Sequence, residues 1–262
     1  MESTRRCGIL LHPTSLPGPY GAGDFGADAY YFADWLASAR QSFWQMLPLC
    51  DIGTGNSPYM SPSAFAGNLF LIGLDTLCNA GWLKKEELVP SNAFRMSRLK
   101  LASDRFFGSA DTAARHAFEL FCEQSAFWLD NYALFRTLND SYGATWQQWP
   151  EPFARKNPAA LANFAEEHAV DIRFWKFCQW CFYEQWQALR TYAHSKGIDI
   201  IGDIPIFVSL NSADVWAHPE LFDLDSSGYP RTVAGVPPDR FSASGQHWGN
   251  PLYDWEQHAR TG

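Results

Sequence analysis

The hydrophobic positions change their period several times along the chain, and each change predicts an element. Residues 6–12 (RCGILLH) read as a short buried strand, ended by the Pro/Gly-rich stretch 13–26. Asp24 is positioned to cap a following helix whose apolar face is Phe25, Ala29, Phe32 and Leu36, spaced by four, three and four. A second strand is expected over 43–49 (FWQMLPL), followed by a loop of turn residues over 51–68. Strand, helix, strand in this order is a βαβ unit and predicts a parallel sheet.

Between 80 and 165 the pattern is helical, with no clear strand. Phe118, Phe121, Ser125, Trp128, Tyr132 and Phe135 step by three and four and predict one long helix. Residues 146–158, with Pro150, Pro152 and Pro158, read as a loop. A second long helix follows on Trp175, Cys178, Phe182, Trp186, Leu189 and Ala193, closed by Gly197. Residues 198–208 (IDIIGDIPIFV) then read as the clearest buried strand. Residues 209–262 are polar and rich in Pro and Gly, with a last helix expected over 252–260. The expected division is 1–79 as two βα units, 80–165 as a helical insertion subdomain, and 166–262 as a third βα unit with a long loop.

Composition narrows the class. The chain has 262 residues, a formal net charge of −8, 16% aromatic and 18% charged residues. Disordered chains carry few aromatics and much charge, so this one is expected to fold. An acidic balance without basic clusters argues against a nucleic-acid partner. No run approaches the roughly 18 apolar residues of a membrane span, and the opening residues 1–6 precede too short an apolar stretch for a signal peptide. A cytoplasmic protein is expected. Six scattered cysteines then read as reduced, mostly buried thiols. The pair Cys178 and Cys181 lies within a helical pattern and has no second pair beside it, so core packing is favoured over metal or redox duty.

Three local patterns carry candidate chemistry. Gly21, Gly23 and Gly26 satisfy G-x-G-x-x-G before a helix, with Asp51 further on, as in a dinucleotide site. Gly21 lies nine positions after His12, however, whereas the mechanism needs the glycines directly after the strand. Residues 223–228 (DLDSSG) begin like a calcium loop, but position twelve is Ala234 instead of Glu, so a turn is favoured. Asp203 lies at the expected C-terminal end of a parallel strand, the end that faces ligands in sheets and barrels alike. The loop 55–59 ends on the same face. Capping and packing are the alternatives for both.

Several stretches taken together resemble one family. They are 11–24 (LHPTSLPGPYGAGD), 55–59 (GNSPY), 202–208 (GDIPIFV), 212–216 (SADVW), 233–239 (VAGVPPD) and 245–253 (GQHWGNPLY). The combination resembles the amylomaltases, the 4-α-glucanotransferases of glycoside hydrolase family 77. The resemblance implies an α/β fold, a (β/α)₈ barrel with helical insertions, of which about the first three strands lie here. It implies retaining transfer between α-1,4-glucans such as maltooligosaccharides, without metal or organic cofactor. Asp203 matches a family aspartate supporting the active site. Ser57 and Tyr59 match positions lining donor sugar subsites, and Trp248 matches an aromatic on a flexible loop over the glucan. Met60 stands where the family leads one to expect Gln, and Asn211 where it leads one to expect Asp.

The family's nucleophile follows its fourth strand in an Arg-Ile-Asp-His type motif, which does not occur in 1–262. A barrel needs about 200–250 residues before insertions, and setting aside 80–165 leaves only three core strands. The expectation is therefore a chain that ends before the barrel is complete, inactive alone and poorly soluble through exposed sheet edges. A non-catalytic glucan-binding module and a nucleotide-dependent oxidoreductase are the competing readings. Asp203 acting as catalytic acid with Asp214 or Asp239 stays open at this level, as does the oligomeric state.

Overall fold

Gly8 shows how closely the first strands approach one another. A Cβ there would lie 2.4 Å from the Cβ of Phe43, so glycine is required where β1 (Gly8–Leu10) meets β2 (Phe43–Gln45). Between them in sequence, α1 spans Ala27–Ser38, and a third strand, β3, spans Asp199–Ile201. The three strands are parallel in the order β1-β2-β3, with Leu10, Gln45 and Ile201 in one register row. The computed structural model describes residues 5–261; residues 1–4, which belong to the N-terminal stretch read above, and Gly262 lie outside it.

The remaining helices are α2 (Leu74–Asn79), α3 (Arg95–Ser109), α4 (Thr112–Tyr142), α5 (Glu151–Ala154), α6 (Pro158–Glu167), α7 (Ala169–Ser195), α8 (Ala213–Ala217) and α9 (Trp255–Thr261). An antiparallel hairpin, β4 (Val233–Val236) and β5 (Gln246–Pro251), lies between α8 and α9. None of these helices is long and apolar enough to cross a membrane. The chain forms two compact units. The first comprises residues up to Leu49, Gly67–Gln124 and Lys176–Ile204; the second comprises Cys50–Ala66, Ser125–Trp175 and the chain from Pro205 onward.

In the first unit one face of the sheet is covered. Trp44 is fully buried, with its ring edge-on to Phe32 of α1 at 5.0 Å and its Nε1 donating to Leu11 O. Phe25 and Phe182 pack at 5.4 Å, and Tyr30 and Tyr192 at 4.9 Å, joining α1 to α7. Gln179 and Gln185 of α7 reach buried backbone. Each accepts from the N–H of a glycine, Gly67 and Gly73, at 2.7 Å and donates to its carbonyl. These amides satisfy groups that burial would otherwise leave unpaired. The other sheet face carries exposed Leu10 and Ile201, with Arg6 over the Phe43 ring at 4.0 Å and paired with Asp199.

Several expectations are corrected. The strand predicted over 198–208 stops at Ile201, where Met46 N donates to its carbonyl. Pro48 and Pro205 lack the N–H that a longer ladder needs, and Ile204 and Ile206 are exposed instead of buried. The strands expected over 6–12 and 43–49 shorten likewise to three residues each. Asp24 does not cap α1. Gly26 is the N-cap, and the buried Asp24 pairs with Arg95 at 3.1 Å while accepting from Gly26 N. The expected loop over 146–158 contains a 3₁₀ turn at Trp146–Gln148 and α5, and Asn157 caps α6 through Ala160 N. Its prolines stand at helix starts, where no N–H is needed. The cysteines divide: Cys178 and Cys181 are buried, Cys7 is exposed, and the other three are intermediate.

Both long helices are present as the spacing predicts, and Gly197 follows α7 at φ +77°. Seven of the twelve tryptophans are buried, so most of this aromatic content is core. Ahead of α3 in the chain, Glu87 accepts from both Nη atoms of Arg105, in the second half of that helix, at 2.7 and 2.6 Å, and from the N–H of Lys84. These donors hold its carboxyl down to about 2, from the ordinary 4.5. The stabilisation is therefore present above pH 4.5 and lost as pH falls through about 2. Carbon-detected NMR should place the Glu87 midpoint near 2, and Arg105→Gln should return it toward the ordinary value.

Candidate functional site

The segment 51–66 follows β2 and carries two of the candidate residues, Ser57 and Tyr59. Its base is tied at Asp51, whose N–H donates to Ala66 O at 2.6 Å. Asp51 is buried, and its Oδ2 accepts from Tyr132 Oη at 2.7 Å and Arg136 Nη1 at 2.9 Å. The Arg136 guanidinium lies over the Trp175 ring at 4.2 Å. Burial pushes the Asp51 carboxyl up, against the opposing pull of Arg136 and Tyr132. Asp51 entered the sequence reading only as the acidic partner of a dinucleotide motif. Its anchoring role carried no local signal, because its partners lie 81 and 85 positions away.

Above this base the loop turns on left-handed residues. Gly55 has φ +76° and Asn56 +55°, and asparagine tolerates that region better than most side chains. The Ser57 hydroxyl accepts from Tyr59 N at 3.3 Å, Met60 N donates to Ser57 O, and Cys50 Sγ donates to Pro58 O. Tyr59 is left 45% exposed. The far end of the loop is stitched through serines. Ser61 Oγ donates to Ser63 O, and Ser63 Oγ accepts from Phe65 N and Ala66 N, both at 3.2 Å.

The loop is joined to the chain beyond Pro205. Ser209 N donates to Ser61 O, Ala213 N to Pro62 O, and Ala64 N to Asp214 Oδ2 at 3.0 Å. Burial pushes the Asp214 carboxyl up, and the Ala64 N–H counteracts it. Asn211 accepts from Trp146 N at 3.1 Å and donates to Asn139 Oδ1 at 3.3 Å. A carboxylate is unable to do both, which accounts for asparagine where the family comparison leads one to expect Asp. Nothing in the structure explains Met60.

Trp248 lies in strand β5 itself, 41% exposed, with Nε1 donating to Gln246 Oε1. The irregular connection of the hairpin is 237–245, two Asp239 bonds to Phe241 N and Ser242 N shaping its turn. Gly245, at φ +72°, is required there because a Cβ would meet Val236 O at 2.4 Å. Phe241 at this turn is 82% exposed. It is a ring that the sequence reading passed over for want of any periodicity around it. The hairpin brings Trp248 into the same unit as Ser57 and Tyr59. Asp203 belongs to the first unit, two residues beyond β3 and exposed.

The other candidate motifs resolve as architecture. Gly23 allows a close chain crossing, since a Cβ would lie 2.1 Å from Pro13 O, and Gly26 N is taken by Asp24. Those glycines do not form a phosphate cradle following a strand. Asp225 accepts from Ser227 N and Tyr229 N, and Asp223 bonds Arg231 and Thr232. Residues 223–228 are thus a turn. Asp239, weighed as a catalytic partner, is occupied in its own turn.

Comparison with known proteins agrees with this layout. A family profile described as 4-alpha-glucanotransferase, glycoside hydrolase family 77, matches residues 11–262. The chain is 46% identical to a 4-alpha-glucanotransferase of Thermus thermophilus over 272 aligned positions, covering 100% of this chain and 54% of that protein. It is 42% identical to a chloroplastic/amyloplastic 4-alpha-glucanotransferase of Solanum tuberosum, covering 98% and 48%. The structure of an amylomaltase from Streptococcus agalactiae, solved in complex with acarbose, superposes with a TM-score of 0.93 at 38% identity, covering 98% of this chain and 55% of that one. The chain thus spans about half the length of the curated relatives it matches. With β2, β3, its 51–66 loop and its hairpin all inside the matched region, the chain belongs to the 4-alpha-glucanotransferase family, glycoside hydrolase family 77.

Proposed function

We propose that these residues supply the glucan-holding part of a cytoplasmic 4-α-glucanotransferase, and that the three parallel strands are the first three of a (β/α)₈ barrel. The helices within 80–165 are the insertion subdomain of that barrel. In the retaining reaction one carboxylate attacks the anomeric carbon and forms a glycosyl-enzyme, while a protonated carboxyl about 5 Å away donates its proton to the leaving oxygen. A sugar 4-hydroxyl then gives its proton to that second carboxylate and takes the glycosyl group, so an α-1,4-glucan is rearranged without net hydrolysis. The nucleophile and the acid/base belong to the part of the relatives' length that residues 1–262 do not cover.

Here Ser57 and Tyr59 contact the donor sugars, Trp248 covers the glucan, and Asp203 supports the centre from the end of β3. The observation that carries this reading is the match at 46% identity over the whole chain, with an anchored loop presenting an exposed Tyr59. Calorimetric titration with maltotriose tests it. Tyr59→Ala and Trp248→Ala each remove an exposed ring and should each weaken binding about tenfold, the equivalent of one stacked aromatic. Unchanged affinity in both variants would withdraw the two rings from the site. A non-catalytic binding module would bind in this titration yet contribute nothing to transfer in a full-length chain.

A further inference from the structure

A cavity lies wholly within the unit that holds Tyr59 and Trp248. Its volume is about 160 Å³, between α4, α8 and the end of the 51–66 loop, room for a single small unit and less than the roughly 300–1,000 Å³ of drug-sized sites. Three rings form its apolar wall. Phe65 meets Phe127 edge to face at 5.3 Å and stacks on Trp128 at 6.0 Å. Phe65 and Phe127 are 45% and 67% exposed, so ring surface faces solvent in both. Phe127, Trp128 and Asn131 come from one side of α4, and Asp214 and His218 from the α8 region.

The polar side of the cavity is what selects the ligand. The side-chain amide of Asn131 is half-buried and makes no hydrogen bond with another described residue. Asp214 presents a carboxylate already held by Ala64 N. No lysine or arginine lines the space, and the carboxylate repels phosphate, sulfate and other anions. An alkylammonium would suit rings and a carboxylate, but it offers nothing to the donor N–H groups of Asn131. A pyranose offers both parts: an apolar C–H face for a ring and hydroxyls that accept from an amide and donate to a carboxylate. The serine network that fixes Phe65 N and Ala66 N holds the wall in place before any ligand arrives.

We propose that the cavity lined by Phe65, Phe127, Trp128, Asn131 and Asp214 binds one glucose unit of an α-glucan chain. The choice of glucan rests on the function proposed above; the cavity and its preference for a neutral polyol do not. The test uses the full 262-residue chain carrying Tyr59→Ala and Trp248→Ala, with maltotriose binding read by saturation-transfer NMR. Residual binding is expected, weakened about tenfold by Phe127→Ala and several-fold by Asn131→Ala. Both positions are on the helix surface, and circular dichroism melts confirm that each variant folds. Loss of all binding in the double-variant background, or residual binding that neither substitution changes, overturns the proposal. So does binding of choline in place of maltotriose. If the double-variant background binds as tightly as the original chain and Phe127→Ala abolishes that binding, the cavity stands and the Tyr59 and Trp248 assignment falls.

Discussion

Replacing Asp51 by alanine is expected to cost about 3–5 kcal/mol, because it leaves the Arg136 charge and the Tyr132 hydroxyl without the carboxylate they share. For a chain of this length that corresponds to a fall of about 6–20 °C in melting temperature. The same substitution frees the base of the loop on which Ser57 and Tyr59 sit, so maltotriose affinity should fall with it. Asp51→Asn keeps the shape and an oxygen for Tyr132, and should lie between the parent and the alanine variant in both measurements. Circular dichroism melts and calorimetry at one pH check the pair. An alanine variant that melts with the parent protein would show that backbone bonds, such as Asp51 N to Ala66 O, hold the loop by themselves.

The sequence reveals most where a pattern is long. α4 and α7 run over 31 and 27 residues, and apolar positions three and four apart leave little else for such a stretch to be. The places of the three parallel strands were equally legible, but their lengths were not. A run such as IDIIGDIPIFV looks buried throughout, yet Pro48 on the neighbouring segment and Pro205 within it end the ladder after Ile201. The hairpin of β4 and β5 gave no warning, since four of the six residues in β5 are exposed and nothing alternates. Helix starts disguised as a proline-rich loop misled in the opposite direction, over 146–158.

For the site the division is different. Ser57, Tyr59 and Trp248 are proposed through likeness to a family, because one serine and two isolated aromatic rings have no periodicity to mark them. Asp203 had a positional reason as well, the end of a parallel strand, and it stands beyond β3 as expected. What supports the site was hidden. Asp51 needs Tyr132 and Arg136 from a distant helix, and the Asn211 bonds to Trp146 and Asn139 span 65 and 72 positions. Such pairings become visible only when the chain is folded.

The transfer reaction gives the other large effect. Two maltotriose molecules disproportionate to glucose and maltopentaose only where a nucleophile and an acid/base flank the scissile bond. In the proposed site Tyr59, Ser57 and Trp248 would hold sugar but supply no such pair, so positioning alone should yield no product. The decisive measurement is chromatography of maltotriose incubated with residues 1–262 and, in parallel, with the same residues fused to the remaining half of the Thermus thermophilus relative. The account predicts unchanged maltotriose in the first case and glucose with maltopentaose in the second, lost again on Tyr59→Ala. Glucose and maltopentaose from residues 1–262 alone would contradict it, and so would a folded fusion that converts nothing.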